Sequence, residues 1–246
     1  MSKTEQHLRL AGVTRLSVLG RGPQDAYVFD PHRLALPCWT LALEEHAAAT
    51  PATLLTFDRH LDLVLPQRPD RVPDRSAGVL ALDAHARLEL DVRNVDHVLA
   101  AMEAGVVGDA IVVARSSPRG ALVAESYRDT RGREHRWVVA PTLEQALDRR
   151  GALGQEGPLL LDIDLDAFTT PDPSEPGDLL PWAEPAIRAH LLPPQASEFW
   201  AKALTRVLAL TLAREPYHCG GLIAAGRLFE VAAKVIFEEL LEAEVP

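Results

Sequence analysis

Apolar residues fall into short runs along the chain, separated by longer amphipathic stretches. Five of these runs are rich in aliphatic and β-branched residues and have the length of buried strands. They cover residues 27–29, 54–57, 111–114, 159–165 and 207–212. Because the runs show little apolar-polar alternation, they are typical of strands that are covered on both faces of a parallel sheet.

Several of the intervening stretches have the three- to four-residue apolar period of helices. They cover residues 34–49, 94–104, 142–150, 197–204 and 222–242. Thr142 with Gln145 fits a capping box, and Asn94 is a candidate N-cap. Strands that alternate with helices predict an α/β fold in which helices flank a mainly parallel sheet in three layers.

Two kinds of polar segment interrupt this pattern. Residues 126–137 are highly charged and lie between the apolar runs 121–123 and 137–139, which predicts a β-hairpin with a long tip. We consider this tip a candidate lid or substrate-contact loop. Residues 66–73 and 169–185 are rich in proline and predict loops, each directly after an acidic cluster.

Composition narrows the class of protein. A length of 246 residues suits one domain over residues 1–246. A net charge of -10 argues against a general nucleic-acid binder, which needs a basic face, but leaves room for a local basic patch. The 2 cysteines are too few for a disulfide scaffold, the amino-terminal sequence lacks a secretory signal, and no apolar run could span a membrane. We therefore expect a cytoplasmic protein with no membrane partner and leave its homo-oligomeric state open.

The strongest chemical signals are two clusters of potential metal ligands. Asp58, His60 and Asp62 stand at alternate positions, so an extended strand would project them to one side. The second cluster lies in an otherwise apolar segment and contains Asp162, Asp164 and Asp166. Clustered carboxylates resist desolvation unless protons or cations neutralise them.

A single aspartate is more often a helix cap or a loop residue than a metal ligand. Two clusters, one of which contains a histidine, favour metal binding instead. Carboxylate and imidazole ligands without thiolate favour a cation such as Mn²⁺ over structural Zn²⁺.

Three blocks of the chain resemble arginases and agmatinases, which belong to the ureohydrolase superfamily. Residues 58–62, DRHLD, resemble the Asp-x-His-x-Asp motif of this family, and residues 164–168, DLDAF, resemble its Asp-x-Asp-Ala-Phe motif. Residues 30–35, DPHRLA, resemble the segment that holds the family's first metal-binding histidine. The blocks occur in the family's order, and the resemblance implies an arginase-like fold with two Mn²⁺ ions.

The resemblance also implies a set of ligands and catalytic residues. One ion would be held by His32, Asp58, Asp62 and Asp164, and the other by His60, Asp164, Asp166 and either Asp58 or Asp62. Water activated by the ions would be the nucleophile, and Asp62 is counted among the catalytic residues as well. Asp162 is expected to support a ligand through a hydrogen bond, with direct ligation as the alternative.

The chain departs from arginases immediately after Asp62. Residues 63–68, LVLPQR, lack the polar residues by which arginases hold the α-amino and α-carboxylate groups of free arginine. The blocks are more similar to a divergent branch that includes bacterial peptide arginases, which convert arginine side chains of a ribosomally made precursor peptide to ornithine. This resemblance implies a metal-dependent hydrolase of C–N bonds that binds an arginine-containing peptide and releases urea.

Two residues further along the chain are candidates for substrate binding and catalysis. Glu215 lies downstream of Asp166 at a distance resembling that of the arginase substrate-binding glutamate, and its carboxylate would orient the guanidinium. His218 would line the pocket or transfer protons. The alternatives are a surface charge for Glu215 and a structural role for His218.

The remaining histidines, cysteines and tryptophans have less specific patterns. His46, His85 and His97 are expected at the surface, so none is assigned as a proton shuttle. Cys38 and Cys219 lack Cys-x-x-Cys spacing and are expected to be buried, non-catalytic thiols. The tryptophans are expected in helices, at the core or at an interface; they are Trp39, Trp182 and Trp200.

Alternative functions come from two different classes. Related folds use similar metal positions to cleave amides, so a deacetylase or other amidohydrolase, or a small-molecule ureohydrolase, remains an alternative enzyme. A non-catalytic metal-binding regulator is the alternative outside enzymes. Release of urea from an arginine peptide, or of acetate from an acetylated one, separates the enzymes, whereas a regulator would show no turnover.

Overall fold

The computed structural model describes residues 9–18, 22–23, 25–115, 126–175 and 178–241. The strands are β1 Thr14–Ser17, β2 Asp25–Phe29, β3 Ala52–Asp58, β4 Val107–Ala114, β5 Ser126–Arg128, β6 Glu134–Ala140, β7 Leu159–Asp164, β8 Thr169–Pro171, β9 Leu179–Pro181 and β10 Val207–Ala213. Eight of them form one sheet in the order β1-β2-β10-β7-β3-β4-β6-β5. β8 and β9 form a separate antiparallel ribbon.

The sheet is parallel from β2 to β6, and only the edge strands β1 and β5 run antiparallel to their neighbours. β10 comes last in sequence but lies between β2 and β7. In a parallel sheet the carboxyl ends of all strands meet at one edge, where ligand sites of open α/β folds occur. The predicted mainly parallel sheet is confirmed.

Seven α-helices in the described part of the chain cover the two faces of the sheet. They are α1 Ala35–Glu45, α2 Val79–Leu88, α3 His97–Ala104, α4 Leu143–Arg149, α5 Glu184–Leu191, α6 Ser197–Ala203 and α7 Leu222–Lys234. Buried residues of α1 to α3 pack with Leu54 and Val112, and those of α4 to α7 pack with Leu55 and Val113. Successive residues of the central strands therefore enter different cores, which explains their continuous apolar runs.

All five predicted strands are present, but several boundaries and elements differ from the prediction. The helix predicted at 94–104 begins at His97 with Asp96 at the N-cap, so Asn94 is not its cap. Thr142 is the N-cap of α4, and its side chain accepts a hydrogen bond from the Gln145 N–H at 3.3 Å. The structure adds β1, the β8–β9 ribbon, α2 and α5, which were not predicted.

The hairpin predicted around residues 126–137 is formed by β5 and β6, but its tip is not near the carboxyl edge of the sheet. Arg131 and Arg133 donate hydrogen bonds to the Glu103 carbonyl at the end of α3. His135 contacts the Gly108 carbonyl at the start of β4, with 2.6 Å between Nδ1 and O. The prediction of a lid is therefore wrong for this tip, whereas the predicted strand at 121–123 lies outside the described residues.

Candidate metal centre

The predicted site residues converge at the carboxyl edge of the sheet. β3 ends at Asp58 and β7 at Asp164, whereas His32 follows β2 and Glu215 follows β10. Groups of these side chains place their ligand atoms within 4.8 Å of one another. The residues in these groups are His32, Asp58, His60, Asp62, His97, Asp164, Asp166, Glu215 and His218.

Three of the carboxylates are oriented by backbone N–H groups. Asp58 Oδ1 accepts a hydrogen bond from the His60 N–H at 2.6 Å, and Asp164 Oδ1 accepts one from the Asp166 N–H at 3.0 Å. Asp166 Oδ1 accepts a hydrogen bond from the Arg59 N–H at 3.1 Å. One oxygen of each carboxylate is thus fixed by the fold, which leaves the other oxygen to face the centre of the site.

His32 contributes a nitrogen to the same centre. Its Nδ1 lies 3.1 Å from Asp164 Oδ2, 3.4 Å from Asp62 Oδ2 and 3.6 Å from Asp58 Oδ2. Nδ1 is buried and has no hydrogen-bond partner among the described residues. The other ring nitrogen, Nε2, lies 2.8 Å from Asp162 Oδ2 and donates its proton there. Nδ1 consequently faces three carboxylate oxygens, an arrangement that a proton or a cation between them would stabilise.

A second group lies closer to solvent. His60 Nδ1 is 3.0 Å from Asp166 Oδ2 and 3.7 Å from Asp58 Oδ1, and the His60 side chain is 45% exposed. Asp58 Oδ2 and Asp166 Oδ2 are buried without a hydrogen-bond partner in the described part of the chain. Buried acceptors of this kind are costly unless a cation or a proton satisfies them. The donor set therefore fits divalent cations.

Asp162 is held behind His32 by a network of buried hydrogen bonds. Its Oδ2 accepts from Thr56 Oγ1 at 2.7 Å as well as from His32, and its Oδ1 accepts from Thr211 Oγ1 at 2.6 Å. Trp39 Nε1 donates to Thr211 Oγ1 at 2.9 Å. Both oxygens of Asp162 are engaged in this way, so the carboxylate orients the His32 ring.

The cluster has strongly perturbed electrostatics. Burial and neighbouring carboxylates raise the pKa of Asp58 and of Asp164 well above the ordinary value. Burial opposes protonation of His32, but the charges of Asp162 and Asp164 outweigh it and raise the His32 pKa. Without cations, these groups retain protons that metal binding would displace.

Glu215 occupies the edge of the cluster, where the fold fixes one of its oxygens. The His32 N–H donates to Glu215 Oε1 at 3.0 Å, and Asn94 Nδ2 donates to the same oxygen. The other oxygen, Oε2, lies 3.7 Å from His218 Nε2, and the His218 ring centre lies 5.8 Å from that of His60. Burial raises the pKa of Glu215. The surface-charge alternative for Glu215 is therefore wrong.

Backbone strain is concentrated around the cluster. Among non-glycine residues of the described ranges, positive φ occurs at Asp62 (50°), Asn94 (62°) and Glu215 (36°), and otherwise only at Ala47 (48°). Such conformations cost of order 1–3 kcal/mol each and are frequent at functional sites. The extended arrangement predicted for residues 58–62 is wrong because β3 ends at Asp58. The three side chains converge through a turn instead.

His97 was predicted to lie at the surface, and this is wrong. It is fully buried, and its ring centre lies 4.1 Å from that of His32. Nδ1 of His97 donates to the Asn94 carbonyl at 2.9 Å, and burial together with His32 lowers the His97 pKa to about 4. His85 is buried as well, whereas His46 is exposed as predicted. Linear spacing gave no signal for His97 or Asn94, because their contacts come from distant parts of the chain.

The cysteines and two of the three tryptophans are located as expected. Cys38 and Cys219 are buried free thiols, and Trp39 and Trp200 are buried, all as predicted. Trp182 is not in a helix but precedes α5. None of the helices in the described ranges has both the length and the apolar character needed to cross a bilayer.

Comparison with known proteins adds no family assignment. No protein-family model matches the chain, and a search of curated proteins finds no significant match.

Proposed function

We propose that this protein is a hydrolase with two Mn²⁺ ions that converts arginine side chains of a ribosomally made precursor peptide to ornithine and releases urea. The observation that carries the proposal is the position of His32 Nδ1, which faces the Oδ2 atoms of Asp58, Asp62 and Asp164. The resemblance of residues 30–35, 58–62 and 164–168 to ureohydrolase motifs supplies the reaction class.

The resemblance divides the ligands into two sets that share Asp164. One set is His32, Asp58, Asp62 and Asp164, and the other is His60, Asp164, Asp166 and either Asp58 or Asp62. Asp58 Oδ1 lies 3.7 Å from His60 Nδ1. Two cations in these positions would supply a water molecule that is acidic enough to act as a nucleophile at neutral pH. Backbone N–H groups already fix one oxygen of several carboxylates, so the chain holds the remaining oxygens in place before a cation binds.

Glu215 is the candidate for binding the guanidinium group of the substrate. Because His32 and Asn94 hold Oε1, the Oε2 atom is left to accept a charge-assisted hydrogen bond. A bound guanidinium would also favour the ionised form of this carboxyl, whose pKa burial raises. His218 lies beside Oε2 and is half-buried, so it can donate a proton to the departing amine.

The residues that follow Asp62 support a peptide substrate over free arginine. Val64 and Leu65 are apolar and are 52% and 48% exposed. Apolar side chains offer no partner for a free α-amino group, whereas the amides of a peptide backbone need no charged partner.

Arginine peptides incubated with the Mn²⁺-loaded protein test the proposal. We expect urea release and a loss of about 42 mass units per modified arginine. Glu215→Gln should lower kcat/KM by roughly 10- to 100-fold, because a charge-assisted hydrogen bond contributes about 1.5–3 kcal/mol. Glu230→Gln, at an exposed position of α7, is the matched control and should retain full activity.

Elemental analysis of the same samples separates the alternatives. Two Mn²⁺ ions per chain should remain bound in Glu215→Gln if this residue contacts the substrate and not the metal. Acetate release from an acetylated peptide without urea release would favour an amidohydrolase. Stable Mn²⁺ binding with no turnover of either substrate would favour the regulator, and both results would contradict the proposal.

A further inference from the structure

Two arginines stand side by side next to the metal centre. β3 and β4 are parallel neighbours in the sheet, and Asp58 pairs with Ala114 at their carboxyl ends. Arg59 and Arg115 are the residues that directly follow this pair. The register of the sheet therefore brings two guanidinium-bearing residues to adjacent strand ends.

Arg115 is held in position by its surroundings. Its guanidinium carbon lies 4.1 Å from the ring centre of Trp182, and its Nη2 donates to the Thr169 carbonyl. Its Nε is buried and has no hydrogen-bond partner within the ranges that the structure describes. Burial lowers the pKa of Arg115, and the charge of Arg59 lowers it further. The Arg115 guanidinium is thus held in one orientation, and one of its N–H donors has no acceptor in the described part of the chain.

Arg59 is fixed through its backbone, whereas its side chain is not paired. The Arg59 N–H donates to Asp166 Oδ1 at 3.1 Å. Its half-buried side chain has no hydrogen bond or ion pair with any residue of the described ranges. Asp166, whose carboxylate accepts the backbone hydrogen bond, belongs to the ligand cluster of the candidate metal centre.

Asp166, a member of the ligand cluster, is the carboxylate that opposes the lowering of the Arg115 pKa, and His190 adds no charge. His190 packs against Trp182 with 5.5 Å between ring centres, and burial together with Arg115 lowers the His190 pKa to about 4. This imidazole is therefore neutral at physiological pH. Elsewhere in the fold, Arg15 and Arg188 each contact two carboxylates. Within the described ranges neither arginine side chain has a carboxylate as hydrogen-bond or ion-pair partner, so an anionic ligand would complete the pair.

We propose that Arg59 and Arg115 bind a carboxylate of the substrate, next to the arginine side chain that is hydrolysed. This inference rests on the proposed function and narrows its substrate class to arginine with a neighbouring carboxylate. Guanidinium groups match carboxylates in a bidentate geometry, and stacking on Trp182 fixes the plane of one of them. The carboxylate can come from an acidic side chain or from the carboxyl terminus of the peptide.

Four peptides of equal length test the pair and distinguish the two sources. Two carry an internal arginine followed by Glu or Gln, with amidated ends, and two end in arginine as the free acid or the amide. We expect one acid form to exceed its neutral partner by about 10-fold in kcat/KM for urea release and in affinity measured by calorimetry. The series that shows the preference identifies the source of the carboxylate.

Substitutions then assign the preference to the two arginines. In Arg59→Gln and in Arg115→Gln, the ratio of kcat/KM for the acid peptide to kcat/KM for the neutral peptide should fall towards one. Arg59→Lys should retain part of this preference. Arg71→Gln, at an exposed position, is the matched control and should keep the wild-type ratio. If Arg115→Gln does not fold because Arg115 packs on Trp182, the Arg59 variants decide the result.

The binding measurement keeps this inference separate from the proposed reaction. Absence of urea from all four peptides would contradict the reaction, and calorimetry would still report on the arginine pair. Equal affinities of acid and neutral peptides in the wild type would overturn the role of the pair. A preference that survives in both Gln variants would overturn it as well.

Discussion

At the scale of single residues, the geometry of the candidate metal centre depends on which atom of each side chain already has a hydrogen-bond partner. His32 presents Nδ1 to the cluster because Nε2 is engaged by Asp162. Asp162 is in turn held by Thr56 and Thr211. The protonation pattern of His32 is thus set by residues that do not themselves face the cluster.

Asp162→Asn should weaken metal binding without removing a ligand. The amide can present an N–H to His32 Nε2, which disfavours the ring form that leaves Nδ1 free. We expect Mn²⁺ affinity to fall by roughly 10- to 100-fold while two ions still bind at saturation. Calorimetric titration with Mn²⁺ measures both quantities.

Asp70→Asn, which neutralises an exposed aspartate, is the control and should leave the affinity unchanged. A saturating stoichiometry of one ion in Asp162→Asn would show instead that Asp162 is itself a ligand.

The identities of many site residues could be predicted from local spacing, but their geometry could not. Asp58, His60 and Asp62 were found because alternate acids and imidazoles after an apolar run are unusual. The turn that brings them together depends on the positive φ of Asp62. Positive φ is usually expected at glycine, so an aspartate at this position did not predict the turn. Asn94 and His97 were missed as site residues because they reach the cluster only through tertiary contacts.

At the scale of elements, the β5–β6 hairpin is attached to α3 by a buried acid. Glu103 is fully buried and accepts hydrogen bonds from the Tyr127 hydroxyl and from the Thr130 N–H at 3.2 Å. A buried carboxylate with several donors contributes much more to stability than an exposed ion pair. This contact anchors the tip that sequence patterns identified as a lid.

Glu103→Gln should destabilise the fold measurably. It replaces one acceptor oxygen by an amide that faces donors, so we expect the free energy of unfolding to fall by about 2 kcal/mol. Glu134→Gln removes an exposed partner of Arg128 on the same hairpin and should cost about 1 kcal/mol or less. Urea denaturation followed by circular dichroism measures both, and equal losses would contradict the anchoring role.

The elements that sequence patterns predicted are those with a strong apolar period or run. The central strands are buried on both faces and are therefore easy to recognise, as are α1, α4, α6 and α7. The edge strand β1 is largely exposed, and the β8–β9 ribbon has only three residues per strand, so neither has a distinctive pattern. α2 and α5 lie next to proline-rich segments, which obscured their starts.

At the scale of the whole molecule, the concentration of buried acids couples stability to pH and to metal. A carboxyl whose pKa is higher in the folded state than its unfolded value of about 4 stabilises the fold at low pH. This contribution is lost as pH rises from about 4 through the pKa of the folded state. Asp58 and Asp164 behave in this way, and the raised pKa of His32 acts in the same direction. The pKa of Asp162 is lowered, so its contribution to stability changes only below about pH 4.

Below about pH 6.5 the lowered pKa values of His97 and His190 act in the opposite direction, so we expect the metal-free protein to become less stable as pH rises from about 6.5 to 8. Mn²⁺ should flatten this dependence, because cations neutralise the carboxylates and stabilise the folded state by mass action. Melting temperatures in EDTA and in excess Mn²⁺ across this range measure the effect. Parallel curves in the two conditions would show that the acidic cluster does not bind the ion.

The insertion of β10 between β2 and β7 has a consequence for the order in which the molecule is assembled. His32 follows β2, whereas Asp164 ends β7, and the two strands flank the position that β10 fills. During synthesis, the histidine and the aspartates can take up their native spacing only after residue 213 has emerged and entered the sheet. A nascent or truncated chain would hold only part of the ligand cluster, so the complete cluster forms at the final stage of folding.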